Sequence, residues 1–172
     1  MIQMAFNITD FTSNFTGDGA RPNLFEVDIT RIGQNFSFLC KAAQLPGSTV
    51  GLVEVPYFGR NIKFAGNRTF AEWTVTVLND EDFAVRNALE TLMADINSHE
   101  TNLAAVLADG YQFDALVKQY SKVGDIVKTY EFKGMFPTDI APIELDWGSN
   151  DTIEEYQVTF AYQYWTSPTS AS

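Results

Sequence analysis

His99 is the only histidine of the 172-residue chain and Cys40 its only cysteine. A base that titrates near neutrality is most often a histidine. His99 stands beside Glu100 at the expected end of a helix, where an exposed, uncatalytic histidine is the simplest reading. One thiol excludes a disulfide within the chain and a zinc site built from several Cys and His ligands, and it fits a reducing compartment. Set among Phe36, Phe38 and Ala42, Cys40 reads as a small buried apolar residue. Acids cluster at Glu154-Glu155 and Asp80-Glu81-Asp82, but neighbours in a strand point to opposite faces. Glu154 and Glu155 therefore cannot share a proton or a sugar. No Walker loop, dinucleotide fingerprint or HExxH motif occurs. Neither an enzyme, a cofactor nor a metal centre is expected.

The charge balance narrows the class further. Eleven basic against twenty-two acidic residues leave a formal charge of -11. Wrapping nucleic acid needs a basic face, so that role is excluded, whereas letting nucleic acid pass unheld is not. From Gly134 to Ser172 there are six acids and no Lys or Arg. Such a surface serves solubility, or it repels another polyanion. The N-terminal stretch reads as no secretory signal, and no apolar run approaches the roughly 20 residues that span a bilayer.

The elements that would position these residues follow from periodicity. Residues 1–19 form an arm carrying Phe6, Phe11 and Phe15. Phe25, Val27 and Ile29 alternate with Glu26, Asp28 and Thr30, and Phe36, Phe38, Cys40 and Ala42 continue the period, which predicts a hairpin. Residues 46–66 are punctuated by Pro46, Gly47, Gly51, Pro56, Gly59 and Gly66. They nevertheless carry Val50, Leu52, Val53, Val55, Tyr57, Phe58, Ile62 and Phe64. That combination predicts an apolar loop or bent ribbon that covers a core or binds a partner. Trp73, Val75 and Val77 mark a strand, with Glu72, Thr74 and Thr76 on its polar phase. Residues 80–97 read as an amphipathic helix capped by Asn79 or Asp80, and 98–114 as a second short helix ending near Gly110. Period two returns at Ile126, Tyr130 and Phe132 and from Tyr156 to Tyr164, before a flexible Ser/Thr tail over 166–172. The predicted class is mainly β with one flanking helix, a sandwich or partial barrel.

Several longer words occur in order: Ala20-Arg-Pro-Asn-Leu-Phe25, Gly33-Gln-Asn-Phe36, Cys40-Lys-Ala42 with Leu45-Pro46, Ala65-Gly-Asn-Arg-Thr-Phe70, Trp73-Thr-Val-Thr-Val77 with Asn79-Asp80, and Leu145-Asp-Trp147 with Ser149-Asn150. Together they resemble the tail tube proteins of contractile-tailed bacteriophages over residues 20–165, taken as the tube domain. The resemblance implies a non-enzymatic structural subunit located in the virion tail and assembled in the host cytoplasm. Six copies would form a ring, and rings would stack helically inside a contractile sheath on a baseplate or tail-initiation complex. The tape measure protein and then DNA would occupy the lumen without tight binding, and no stable membrane insertion is implied. The haemolysin-coregulated tube protein of type VI secretion shares this architecture. A related bacterial injection machine is the alternative, and a monomeric barrel binding an apolar ligand is a reading of another class. If each of six copies lends four strands, about 24 strands at ~4.8 Å spacing and ~40° tilt close a shared barrel of roughly 24 Å radius, leaving a channel on the order of 36 Å. Within that frame Leu52, Val53, Val55, Tyr57 and Phe58 are expected at ring-to-ring contacts, and Arg60 and Arg68 at subunit contacts. Glu26, Asp28, Glu72 and Glu131, on polar phases of their strands, are the candidates for an acidic lumen.

Overall fold

The computed structural model describes residues 8–15, 19–33, 35–104 and 107–170. In chain order the elements are α1 (Ile8–Asn14), β1 (Phe25–Asp28), α2 (Asn35–Leu39), β2 (Cys40–Ala43), β3 (Thr49–Tyr57), β4 (Arg60–Thr69) and β5 (Trp73–Leu78). There follow α3 (Ala84–Ile96), α4 (Ala108–Tyr111), β6 (Phe113–Tyr120), β7 (Ile126–Ile140), β8 (Glu155–Ala161) and β9 (Tyr164–Thr166). One antiparallel sheet runs in the order β1-β6-β7-β8-β5-β2, with β9 also on β7, while β3 and β4 form a separate two-stranded sheet.

The 15-residue β7 is the spine. Its first part pairs with β6 and β9 and its last part with β8, across a register shift between Pro137 and Asp139. The two halves of the sheet thereby share one core. Val27, Ala115, Val117 and Phe132 come from one half, and Trp73, Val75, Val77, Val158 and Phe160 from the other. Trp73 lies 4.7 Å from Phe132 between ring centroids and 5.9 Å from Phe160. Helix α3 adds Val85, Leu89 and Leu92, which recur at i, i+4 and i+7 and so share one face. The mainly β architecture with a flanking helix is the one that the periodicity predicted.

Several local readings are corrected. Residues 25–42 form no hairpin: β1 pairs with β6, and β2 with β5 at the far edge of the sheet. Phe36 and Cys40 are buried four residues apart, but Phe38 between them is 84% exposed. That is helical spacing, and α2 occupies the place of the expected second strand. Helix α3 begins at Ala84, later than expected. The Asp80 carboxylate accepts from the Glu81 amide at 2.9 Å, and the Asp80 carbonyl from the Phe83 amide at 2.9 Å. Asp80 thus closes a turn ahead of the helix. Strand β6 was not anticipated, although Ala115 and Val117 alternate inward from Asp114, Leu116 and Lys118. The N-terminal arm holds α1, none of whose residues is buried; Phe6 lies outside the described residues. At the C-terminal tail Ser167 is buried and accepts and donates within the Ser167–Ser170 turn, while Lys128 donates to Thr169.

Candidate functional site

The residues singled out by sequence fall into two surfaces. The first is the β3–β4 hairpin. Its strands are joined by a two-residue turn in which Phe58 has φ 45° and Gly59 φ 83°. Positive φ at both central positions is a type I′ turn, whose twist suits a hairpin. Glycine adopts it freely, while an aromatic residue there is strained. Further down, the ladder shifts register between Val50 and Leu52. A Cβ on Gly66 would stand 3.0 Å from the Gly51 carbonyl oxygen and one on Gly51 3.3 Å from that of Asn67, so the two glycines let the strands approach closely at the bulge.

Register assigns the hairpin's faces. Val53 opposes Phe64, Val55 opposes Ile62, and Tyr57 opposes Arg60, so these six share one side. Five of the six are apolar or aromatic, and all are exposed. On the other side Glu54 faces Lys63 at 3.8 Å and accepts from Asn61 at 3.0 Å. The hairpin is amphipathic, yet none of the described residues covers its apolar face. Phe58, at the tip, is 92% exposed. Neither Arg60 nor Arg68 has an ion-pair partner among the described residues. The root, by contrast, is fixed. The Trp73 indole donates to the Gln44 carbonyl at 2.6 Å and the Trp165 indole to that of Gly47 at 3.1 Å. On the returning leg Phe70 packs on Tyr162 and Trp165.

The second surface is the polar face of β1, β6, β7 and β9. Lys118 lies 3.9 Å from Glu26 and 3.8 Å from Asp28, while Lys133 lies 2.8 Å from Asp114 and 2.6 Å from Glu131. Tyr120 donates its hydroxyl proton to Glu26, and that bond raises the tyrosine pKa above its ordinary value. The Lys133 ammonium holds the Asp114 carboxyl below the usual range, and Asp114 and Glu131 together raise the lysine. Four carboxylates against two ammonium groups leave this cluster with two net negative charges. Sequence reasoning selected Glu26, Asp28 and Glu131 but missed Asp114 and the two lysines. The alternation of β6 was the signal that would have found them. Glu72 stands apart: it is exposed, one residue ahead of β5, in the other half of the sheet.

The groups first considered for enzymatic chemistry are not brought together. His99 is exposed. Glu154 accepts from Asn79 at 2.8 Å, whereas Glu155 pairs with Lys41. Burial lifts the Cys40 thiol to about 12, which leaves it protonated and inert. Burial likewise raises the Tyr156 phenol to about 12; its hydroxyl has no hydrogen-bond partner among the described residues, and Arg86 lies over its ring.

Comparison with known proteins supplies the family. The model of the phage tail tube protein family matches residues 2–167. The tail tube protein gp19 of Enterobacteria phage T4 is 39% identical over 160 residues, which are 92% of this chain and 98% of gp19. The tail tube protein of Serratia phage KSP90 is 26% identical over 124 residues, covering 72% of this chain and 70% of that protein. Among solved structures, the tube terminating cap of the anti-feeding prophage superposes with a TM-score of 0.65 at 16% identity, over 99% of this chain and 100% of that one. A chain of the sheath/tube terminator of the extracellular contractile injection system PVC gives 0.65 at 14% identity, over 89% and 99%. At such identities the last two speak for the fold alone. The resemblance read from the sequence words is therefore borne out: the chain belongs to the phage tail tube protein family, a structural component of the virion tail whose function is to build the tail tube.

Proposed function

We propose that six copies close into a ring through the β1-β6-β7-β9 half of the sheet, and that rings stack through the β3–β4 hairpin into a hollow conduit for DNA. The observation that carries this reading is the hairpin. A two-stranded ribbon alone is at best marginally stable in water, and this one leaves a whole apolar face uncovered. Burial against another copy supplies what its own chain does not. The four-stranded half supports ring closure. It lends four strands per copy, the number assumed for the shared barrel, and β1 and β9 are its two open edges. Strand pairing between copies removes such edges.

In this arrangement the polar face of that half lines the channel and presents Glu26, Asp28 and Glu131 to it. Glu72 belongs to the outer half, with α3 outside the wall. No lysine of this face is free to hold a phosphate, because Lys118 and Lys133 each sit between two carboxylates. The tape measure protein, and later the genome, pass without many-point attraction. Sheath and baseplate or tail-initiation complex engage the outside and the end of the tube, assembly takes place in the host cytoplasm, and no catalytic step is involved. Arg60 and Arg68 reach carboxylates of neighbouring copies, so replacing either with alanine slows tube growth. The reading is tested by changing Leu52 and Val53 to aspartate. The monomer should still unfold cooperatively while tube growth on a tail-initiation complex stops. Loss of cooperative unfolding would instead make the ribbon a cover for its own core.

A further inference from the structure

Strand β7 changes its relation to both neighbours at one point. Against β6, Phe113 stands opposite Met135 and Ala115 opposite Phe132, so Asp114 alone faces two residues, Lys133 and Gly134. That is a β-bulge, which bends its strand and sharpens the local twist. On the other edge Lys133 pairs with Tyr164 of β9 and Phe136 with Ala161 of β8, so the partner strand changes over the same residues. The Gln163 amide, in the break between β8 and β9, donates to the Lys133 carbonyl at 3.0 Å. The extra residue explains why Phe132 and Met135, three apart, are both buried in a strand that alternates on either side of them. Gly134 has φ 62°, and a Cβ there would stand 2.8 Å from Cγ of Gln163. Conformation and space both favour glycine at this corner.

Asp114 holds the corner with one carboxylate. Its Oδ1 accepts from the Gly134 amide at 3.3 Å and its Oδ2 from Lys133 Nζ at 2.8 Å. The single residue of β6 thereby binds both residues of the bulge. The two bonds differ in what they fix. Lys133 also donates to Glu131 at 2.6 Å, and the side chains of Asp114 and Glu131 are 52% and 39% exposed. Ion pairs so open to water contribute little, and Lys133 has a second carboxylate. The bond to Gly134 reaches the main chain itself, at the residue with the left-handed conformation, and so fixes the shape of the bend.

We propose that Asp114 positions the two halves of the sheet relative to each other, and that the angle it holds sets how many copies close a ring. This rests on the reading of the β1-β6-β7-β9 half as the wall of the ring. In a closed barrel strand number, tilt and stagger are tied together. The twist between β6 and β7 is therefore not free once the number of copies is chosen. One copy of six spans about 60° of the circle, against about 51° for seven copies and about 72° for five. Twist between neighbouring strands ranges over about 10–35° among sheets. Releasing the bulge thus shifts the angle by an amount, about 10°, that separates one copy number from the next.

Two measurements test the assignment. Residual dipolar couplings of amides in β1 and β6 against those in β5 and β8 give the angle between the halves in the unassembled subunit. End-on electron micrographs give the copies per ring in tubes grown without a tail-initiation complex, which would impose its own symmetry. Asp114→Ala should change the angle by about 10° and give rings of altered number or open arcs. Asp114→Asn keeps an oxygen for the Gly134 amide and should restore both the wild-type angle and six copies. A role in stability alone would lower the melting temperature and leave the angle unmoved. Gly134→Ala strikes the same corner from β7 and should act as Asp114→Ala does, so the test survives if either variant fails to fold. Unchanged couplings in a folded Asp114→Ala or Gly134→Ala subunit overturn the positioning role. Changed couplings with rings of six retained overturn the link to copy number. A wild type that closes no ring of six refutes the ring reading instead, and the couplings still decide whether Asp114 holds the corner.

Discussion

Replacing Phe58 with asparagine should push the isolated subunit and the assembled tube in opposite directions. Phe58 occupies the first central position of a type I′ turn at φ 45°, where asparagine is favoured and a phenylalanine costs about 1 kcal/mol or somewhat more. The substitution should therefore steady the ribbon in the free subunit. The readout is amide exchange along the ladder between Val55 and Ile62, because the ribbon makes its own sheet and need not unfold with the core. In the tube the sign reverses. The ring is 92% exposed in the single copy, so nearly all of its transfer free energy is available to a contact, about 1.5–3 kcal/mol when fully buried. With six such contacts between two rings the loss reaches on the order of 10 kcal/mol per junction. Each added subunit loses one such contact, so even 1.5 kcal/mol per subunit raises the critical subunit concentration by about tenfold. The assay is the concentration of subunit left unpolymerised at equilibrium with tubes grown on a tail-initiation complex. Slower exchange with unchanged critical concentration would show that the Phe58 ring stays in water after assembly, and would refute its role as an anchor.

Other consequences can be checked separately. Gly66→Val places side-chain atoms where the Gly51 carbonyl already lies 3.0 Å from a Cβ; growth should fail while thermal unfolding of the core is unchanged, and normal growth would mean that the bulge is dispensable. Changing Glu26, Asp28 and Glu131 to lysine takes the cluster from two net negative charges to four positive per copy. Tubes should still form but eject DNA slowly, most of all at low salt where screening is weakest, and normal ejection at every salt concentration would remove this face from the lumen. The depressed Asp114 pKa contributes stability that is present above the ordinary carboxylate range near 4 and is lost as pH falls through the folded value. Lys133→Gln should return the Asp114 titration, followed by NMR, to the ordinary range, and an unmoved titration would deny the ion pair in solution.

What the sequence disclosed and what it hid separate along a physical line. Strands β5 and β8 were legible because each buries every second residue against one core, so that Trp73, Val75 and Val77, or Tyr156, Val158 and Phe160, print their period on the chain. Strand β6 escaped because Leu116 falls on its polar phase and blurs the alternation of Ala115 and Val117. The false hairpin over 25–42 arose because Phe36, Phe38 and Cys40 satisfy period two as well as a helical turn. Only the partners chosen far along the chain, β6 for β1 and β5 for β2, decide between them. Pairing is a property of the whole sheet, and no local window contains it.

The β3–β4 segment reads in sequence as a loop or a bent ribbon and proves to be the ribbon, yet its two strands are not separately legible, for a different reason. Sequence patterns reveal a strand most clearly through what it buries inside its own molecule, whereas the apolar side of β3 and β4 is exposed in the single copy. That face alternates correctly, Val53, Val55 and Tyr57 against Phe64 and Ile62, while the second face carries Leu52, an ion pair and glycines that look like a loop. Residues 141–154 show the same mismatch, with Leu145, Trp147 and Ile153 exposed in a connection. Both segments are apolar without a core. A subunit that stays alone gains nothing from such surfaces and risks aggregation through them.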